Sequence, residues 1–209
     1  MAISPELPSL TTLVSPRTLQ RLQDTIGEAV GISSSILDLN GKFLTKGRYN
    51  DEFLASRCHL SDVEAMKAIQ RGRPHIYECQ GGVYSFASPI MVEGKPIALI
   101  KGGQVRLVNP DLKVCKQRAV AVGITLDQYL EHYLSLPLFT RERLMAAAEL
   151  LTMVASTISS MAYAGLLAER QIQQVIYVNE LLEAEMKRRA QGIQSRPKTK
   201  TSTPIDVHD

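Results

Sequence analysis

The feature that most constrains this chain is a heptad pattern that runs through residues 141–190, after Pro137. Twelve of its fourteen a and d positions are apolar or glycine, which is more than a surface helix needs. The a positions are Leu144, Leu151, Ile158, Gly165, Ile172, Asn179 and Met186, and the d positions are Ala147, Val154, Met161, Ala168, Val175, Leu182 and Arg189. The pattern predicts one very long helix whose first half packs on its own domain as well as on a partner.

The second half of this helix, from about Glu169, is charged everywhere except along the heptad seam. A lone helix of that length is marginal in water, so the sequence predicts a homodimer. A single buried Asn at an a position favours a two-stranded, parallel pair in register. The residues expected to form the dimer contact are Ile172, Val175, Asn179 and Leu182. The alternative is a monomer whose helix is exposed to solvent.

An uncharged stretch, residues 150–168, is close to the length of a membrane-spanning helix. Placed on a helix, its hydroxyl side chains gather on one side and its large apolar side chains on the other, as in an amphipathic packing helix. The first residues show no basic region followed by an apolar run, and three cysteines are too few for a secreted disulfide scaffold. We therefore expect a cytoplasmic protein that does not enter the membrane.

The net charge of +3 comes from the C-terminus. Residues 187–209 hold six Lys and Arg against two Asp, a net +4, which leaves −1 for residues 1–186. A nucleic-acid-binding domain carries its basic patch on the fold, so we expect no direct nucleic-acid binding by the folded body. The predicted organisation is an irregular leader (1–16), a folded domain (17–140), a long dimerising helix (141–190) and a disordered basic tail (191–209).

The remaining periodicity predicts helices and short strands in the order helix, hairpin, helix, strand, hairpin and helices. Asn40-Gly41 between two apolar runs is a hairpin signal, and Gly31 is suited to end the first helix. The predicted helices are 17–30, 62–71, 110–122 and 126–135, and the predicted strands besides the first hairpin are 75–79, 83–92 and 97–105. Such an order predicts an α+β fold with an antiparallel sheet and helices to one side.

The sequence lacks the signatures of most enzymes. It contains no dinucleotide or phosphate loop, no nucleophile elbow, no CxxC and no HExxH, so we expect neither an enzyme nor a cofactor. Cys58 and Cys79 both fall at the ends of elements and could meet in space. They could form a metal site, a redox pair or part of a pocket wall, or they could be two buried small residues. Cys115 lies in a helix and is expected to be structural.

Three motifs resemble those of the PocR sensory domain family. They are Cys58-His-Leu-Ser-Asp, the run from Tyr77-Glu-Cys79 to Ala-Ser-Pro-Ile, and Gly94-Lys-Pro-Ile-Ala-Leu-Ile-Lys-Gly-Gly-Gln104-Val. The resemblance implies a PAS-like domain, with a long signalling helix here, that senses short polyols or hydrocarbon derivatives and reports to a transcription factor or kinase. The chain departs from the family at Leu54, where a cysteine is usual, and at Gln80, where a histidine is usual. Both departures weaken a metal hypothesis, because a structural zinc site needs four N or S ligands.

We predict a ligand site with aromatic walls and a few polar groups, as is typical of small-molecule pockets. Gln104 can both donate and accept a hydrogen bond, which suits a neutral hydroxyl ligand. The aromatic residues could instead be plain core, and Gln104 could satisfy buried backbone. The predicted site residues are Phe53, Cys58, Tyr77, Cys79, Tyr84, Phe86, Ser88 and Gln104. The alternative function is a redox or metal sensor that uses Cys58 and Cys79.

Overall fold

The computed structural model of the chain describes residues 7–47, 59–79 and 82–194. Six helices and four strands lie in these ranges. They are α1 (Leu10–Leu13), α2 (Pro16–Val30), β1 (Ser33–Asp38), α3 (His59–Arg71), β2 (His75–Cys79), β3 (Val83–Val92), β4 (Lys95–Arg106), α4 (Leu112–Val122), α5 (Leu126–Ser135) and α6 (Arg141–Gln194).

The strands form one antiparallel sheet in the order β1-β4-β3-β2. Strand β4 lies inside the sheet because its run Ile97-Ala-Leu-Ile is apolar on both sides, and all four residues are buried. The turn from β3 to β4 is tight, with Glu93 at φ 50° and Gly94 at φ 75°. A sheet with a long C-terminal helix confirms the predicted α+β fold.

The helices cover both faces of the sheet, and the prediction that they lie to one side is wrong. One face packs against α2 and the first half of α6, and the other packs against α3, α4 and α5. The reason is the pattern of β3 and β4, whose residues are buried almost without alternation. A strand that is apolar on both faces needs a layer of helices on each side.

The helix ends follow local sequence signals. The Ser15 hydroxyl accepts the Thr18 N–H at the start of α2, and Gly31 ends that helix at φ 76°. Thr125 and Gln128 form a capping box at the start of α5. These signals explain why the predicted ends of α2, α4, α5 and of strands β2 and β3 agree with the structure to within two residues.

Two terminal predictions differ from the structure. The leader predicted as irregular contains the single turn α1, whose Leu10 is buried against the core. Residues 191–194 fall in the tail predicted as disordered, and they continue helix α6, which ends at Gln194. Residues 195–209 lie outside the described chain.

The chain divides into two compact units, a body that ends at Leu166 and a distal segment that begins at Leu167. Within the body, α6 buries a stripe from Leu144 to Leu166. The described part of the distal segment is helical to Gln194. Of the described helices, α6 is the one long and apolar enough to pass the length and composition test for a membrane span.

Candidate functional site

The alternation of side chains along β2 and β3 places the predicted site residues on two different faces of the sheet. Tyr77 and Cys79 belong to the core that packs against α3, α4 and α5. Phe86 belongs to the core under α2 and α6, and Tyr84 packs against that same core. Ser88 follows Phe86 by two positions and shares its face. The structure therefore does not bring these five residues into one cavity, and their role in ligand binding stays a prediction.

The face that carries Tyr77 and Cys79, which we call the polar face, has small or polar side chains at its centre. Two rows of paired residues cross this face, each running from β2 through β3 to β4. One row consists of Cys79, Val83 and Arg106. The next consists of Tyr77, Ser85 and Gly103. Ser33 extends the second row on β1. Gly103 has no side chain, and the Ser85 backbone lies where its Cβ would be, so β3 and β4 approach each other closely beside Tyr77.

Ser85 is the hydrogen-bonding centre of this area. Its buried hydroxyl accepts from the Cys79 thiol at 3.4 Å and from the backbone N–H of Gln104 at 3.3 Å. The register shifts by one residue between Tyr84 and Ser85, so Gln104 lies in a bulge without a cross-strand partner. The bulge turns the backbone of Gln104 toward the Ser85 side chain.

The backbone at this bulge is strained. Gln104 has φ 57°, one of two positive-φ residues other than glycine in the described chain. Gly103 has φ 124°, and a Cβ there would lie 2.6 Å from the Ser85 Cα. Residues held in such conformations cost about 1–3 kcal/mol and tend to gather at binding sites. Gln104 is half-buried, and its strained backbone is the structural feature that most favours the predicted role.

Small side chains on two helices face the polar face. Ala65 and Ala68 on α3 and Cys115 and Ala119 on α4 are buried there. Burial, with a smaller contribution from Asp111, raises the pKa of the Cys115 thiol above its ordinary value. A raised thiol pKa keeps this cysteine neutral and unreactive, in agreement with a structural role.

Tyr129 and Tyr133 of α5 complete this cover, with ring centroids 6.5 Å apart. The Tyr133 hydroxyl donates a long hydrogen bond of 3.4 Å to the Val108 carbonyl. Burial raises the pKa of Tyr133, the nearby Cys115 adds to the rise, and Arg106 opposes it. A Cβ on Gly82 would lie 3.4 Å from the same hydroxyl, so the turn before β3 closes over it.

The opposite face of the sheet is apolar. A Cβ at Gly102 would lie 3.3 Å from both Phe86 and Ile32, which shows how closely this face is packed. Tyr84 donates from its hydroxyl to Glu78 at 3.2 Å, and burial, followed by the Glu78 charge, raises its pKa. These contacts fit core packing, the alternative that the sequence left open for the aromatic residues.

A polar group at the β2 edge joins this strand to α3. His75 Nε2 lies 3.0 Å from the Glu64 carboxylate, and Lys67 donates to the other oxygen of that carboxylate. The hydrogen bonds from Lys67 and then from His75 hold the pKa of Glu64 below its usual value. The His75 ring also stacks on the Tyr77 ring, with centroids 5.7 Å apart. This polar group therefore helps to hold the Tyr77 side chain beside Ser85.

The metal and redox hypotheses depend on residues that the structure does not describe. Phe53 and Cys58 lie outside the described residues, as does Gln80. Cys115 is a buried free thiol, and Cys79 is also buried. Within residues 7–47, 59–79 and 82–194, no three His, Cys, Asp or Glu side chains are grouped as a metal site would require. The pairing of Cys58 with Cys79 therefore stays untested.

Sequence reasoning missed three residues of the polar face: Ser85, Gly103 and Arg106. The β2–β3 hairpin could have found one of them, Ser85. Pairing Cys79 with Val83 places Tyr77 opposite Ser85, and the same alternation turns Phe86 away. Gly103 and Arg106 lie on β4, so their place on this face depends on the register of β3 with β4.

Comparison with known proteins agrees with the motifs. Residues 12–163 match a family described as the sensory domain found in PocR. The regulatory protein PocR of Salmonella typhimurium is 28% identical to the chain over 102 residues, which cover 48% of this chain and 33% of that protein. The aligned part of the chain thus spans about a third of the length of this curated relative.

Proposed function

The chain belongs to the PocR sensory domain family, and from this premise we propose that it binds a small organic molecule on the polar face and signals through α6. The family supports a sensor role in a regulator and favours a non-enzymatic function. The relative is named a regulatory protein, which supports a role in regulation. Our proposal places the chain in the cytoplasm, where it acts on a transcriptional or kinase partner.

The observation that carries this proposal is the strained bulge over Ser85. Buried polar groups must be hydrogen-bonded, and here the Ser85 hydroxyl accepts from a thiol and from a main-chain N–H beside the close backbone contact of Gly103. Strain of this kind persists only when the surroundings hold it in place. On this proposal, a polyol hydroxyl or another small polar group binds at this hydrogen-bonded centre, beside Tyr77.

A signalling route from the sheet to the helix runs through Ser159. The Met91 N–H, at the second register shift of β3, donates to the Ser159 hydroxyl at 2.9 Å. That hydroxyl in turn donates to the Ala155 carbonyl at 2.7 Å inside α6. A ligand that favours one arrangement of β3 would bias the position of α6 through this bond, as a shift between populated states.

We propose that the distal helix delivers the signal as a parallel homodimer. Three large apolar side chains of the heptad seam expose more than half of their surface: Ile172, Val175 and Leu182. A row of exposed apolar side chains is unusual on a monomer and indicates an interaction surface. Asn179 interrupts this stripe at one a position and would select the two-stranded form. Sedimentation equilibrium tests the proposal: a monomer at tens of micromolar, or antiparallel helices by cross-linking, would contradict it.

The sensor function is tested by identifying what the protein carries. The protein is purified gently and compared by native and denaturing mass spectrometry, and the released compound is titrated back by calorimetry. We expect one small organic molecule per chain at most. Purified protein that releases nothing, and that none of a panel of polyols and short alcohols stabilises against heat, would contradict the proposal.

Gln104→Gly is the variant of choice for locating the site. Glycine adopts φ 57° without strain, so this change removes the amide side chain while the bulge remains. We expect unchanged or higher thermal stability together with a loss of about 1 kcal/mol or more in binding, the value of one buried hydrogen bond. Unaltered affinity would show that Gln104 does not contact the ligand.

A further inference from the structure

Arg106 has a hydrogen-bonding nitrogen that nothing in the described chain uses. Its Nη1 atom is buried without a partner among the described residues. The rest of the residue is fixed in place. Its Nε donates to the Leu136 carbonyl at 3.1 Å, its backbone N–H donates to the Pro137 carbonyl at 3.0 Å, and its own carbonyl accepts from Phe139 at 2.9 Å.

An unused guanidinium nitrogen in a buried place is costly and calls for an acceptor. Arginine stays charged in proteins, so it cannot relieve the cost by losing a proton. No carboxylate of the described residues forms an ion pair with Arg106. The side chain is therefore held by one nitrogen while another remains available.

The position of Arg106 connects this nitrogen to the polar face. Arg106 is the cross-strand neighbour of Val83, which pairs with Cys79, so the three side chains form the row next to Tyr77, Ser85 and Gly103. Tyr133 lies on the same side, and the positive charge of Arg106 acts on its hydroxyl. The bond of that hydroxyl to Val108 is long, so its single proton can turn from the Val108 carbonyl to a stronger acceptor.

We infer that the ligand of the polar face carries a carboxylate, which accepts from Arg106 Nη1 and from the Tyr133 hydroxyl. This inference rests on the proposed sensor function and narrows its ligand class from neutral alcohols to short organic acids. A carboxylate is the acceptor that best matches a guanidinium, because the bond is charge-assisted and both groups are planar. It also differs from the neutral hydroxyl ligand that Gln104 alone suggests.

Two matched pairs of probes separate the acid from the alcohol: glycerate with glycerol, and butyrate with 1-butanol. Each pair shares its carbon chain and differs at one end, so a difference in affinity reports the carboxylate. Calorimetry at fixed ionic strength is carried out on the full chain, on Arg106→Gln and on Arg73→Gln. Arg73 is exposed on the surface, and its substitution controls for a general loss of positive charge.

We expect the acid of at least one pair to bind about tenfold or more tightly than its alcohol in the parent and in Arg73→Gln. Arg106→Gln should abolish this preference, and Tyr133→Phe should reduce it by a smaller factor. If Arg106→Gln does not fold, the affinities of acid and alcohol for the parent protein still test the inference.

An alcohol that binds as well as its acid, or a preference that survives in Arg106→Gln, would overturn the carboxylate and leave the sensor function intact. Binding of none of the four probes overturns the inference too. The sensor function itself fails only when, in addition, the purified protein releases no small molecule and no polyol or alcohol stabilises it.

Discussion

The two halves of α6 carry the same heptad pattern and bury it very differently. Ile158 and Ile172 are both a positions, two heptads apart, yet Ile158 is 0% exposed and Ile172 is 58% exposed. The first half buries its apolar side chains within the body, against α2 and the sheet. Between Leu167 and Met186, the second half is helical and its large apolar residues are all exposed. A heptad pattern thus identifies a surface that must be covered, and it does not identify what covers it.

The buried stripe of the first half also departs from the seam that the heptads predict. Its fully buried residues move from a and d positions toward e positions, and the d residues Val154 and Met161 are only partly buried. The fully buried residues are Leu144, Ala147, Ala148, Leu151, Ala155, Ile158, Ala162 and Leu166. A straight helix with about 3.6 residues per turn drifts away from a 3.5-residue repeat, so packing on a sheet selects a different stripe from packing in a coiled coil.

The sharpest test of this contrast is the pair Ile158→Ala and Ile172→Ala. We expect Ile158→Ala to lower the free energy of unfolding of the body by about 2–5 kcal/mol, because it leaves a cavity in a packed core. Ile172→Ala should change it by about 0.5 kcal/mol or less, as is usual for an exposed site, while weakening dimerisation. Urea unfolding at low and high protein concentration measures both effects. If both variants lose the same free energy of unfolding, and the loss does not depend on protein concentration, the two halves of α6 do not differ in what covers them.

The next largest effect concerns two neighbouring hydroxyls on α6. Ser159→Ala removes the acceptor of the buried Met91 N–H, and we expect a loss of about 1–3 kcal/mol in the free energy of unfolding. Ser160→Ala is the matched control, since that exposed hydroxyl donates to the Ser156 carbonyl of its own helix. Thermal unfolding of both variants is the measurement. A Ser160 variant as unstable as the Ser159 variant would argue against a specific bond between sheet and helix.

In the distal half, Asn179→Leu should act in the opposite direction. Replacing the polar a residue by leucine should raise the melting temperature of the dimer by about 2–4 °C, corresponding to about 1 kcal/mol, and should loosen the choice of oligomer. Light scattering and melting curves report the two effects. If the variant melts at the same temperature and forms the same dimer, Asn179 does not lie in an interface.

The smallest expected effect compares two ion pairs, one in each half of the molecule. The pKa of Glu64 is lowered by Lys67 and His75, so its contribution to stability is present above the ordinary carboxyl pKa of 4.5 and is lost as pH falls through the lowered value. The stability of Glu64→Gln should therefore fall less steeply than that of the parent protein as the pH drops below about 5. Glu185→Gln, which breaks the exposed pair with Arg189 in the distal helix, should leave the acid limb unchanged. Two parallel acid titrations followed by circular dichroism check this difference.

Local signals explain which parts of the fold were predictable from sequence. The Gly31 stop and the Thr125 capping box each depend on a few neighbouring residues, and the helices that they bound are found where predicted. The Asn40-Gly41 turn follows β1 as predicted, but the second arm of that hairpin forms only an isolated bridge from Phe43 to Leu37 and no strand. The fold class followed from their order. The placement of helices on both faces did not, because it depends on the burial of β3 and β4 on two sides, a property of the assembled sheet.

The site was less predictable for the same reason. Cys79, Phe86 and Gln104 stand in recognisable motifs, but which face each of them occupies is decided by the pairing register and by two bulges. The positive φ of Gln104 could not be read from a glutamine, which rarely adopts it. Arg106 belongs to no motif, and its unused nitrogen becomes apparent only when the carbonyls around it are known.

Gly165 gives α6 a fixed mechanical reference. Its Cβ would collide with the Leu13 carbonyl, and the Leu13 Cα would be only 3.3 Å away, so the helix touches the turn α1 there through bare backbone. Sliding the helix by one turn, about 5.4 Å, would bring Met161 or Ala162 to that point, and neither fits. Axial sliding is therefore blocked unless residues 10–13 lift away. We therefore expect a signal to tilt α6 about this contact rather than to slide it along its axis.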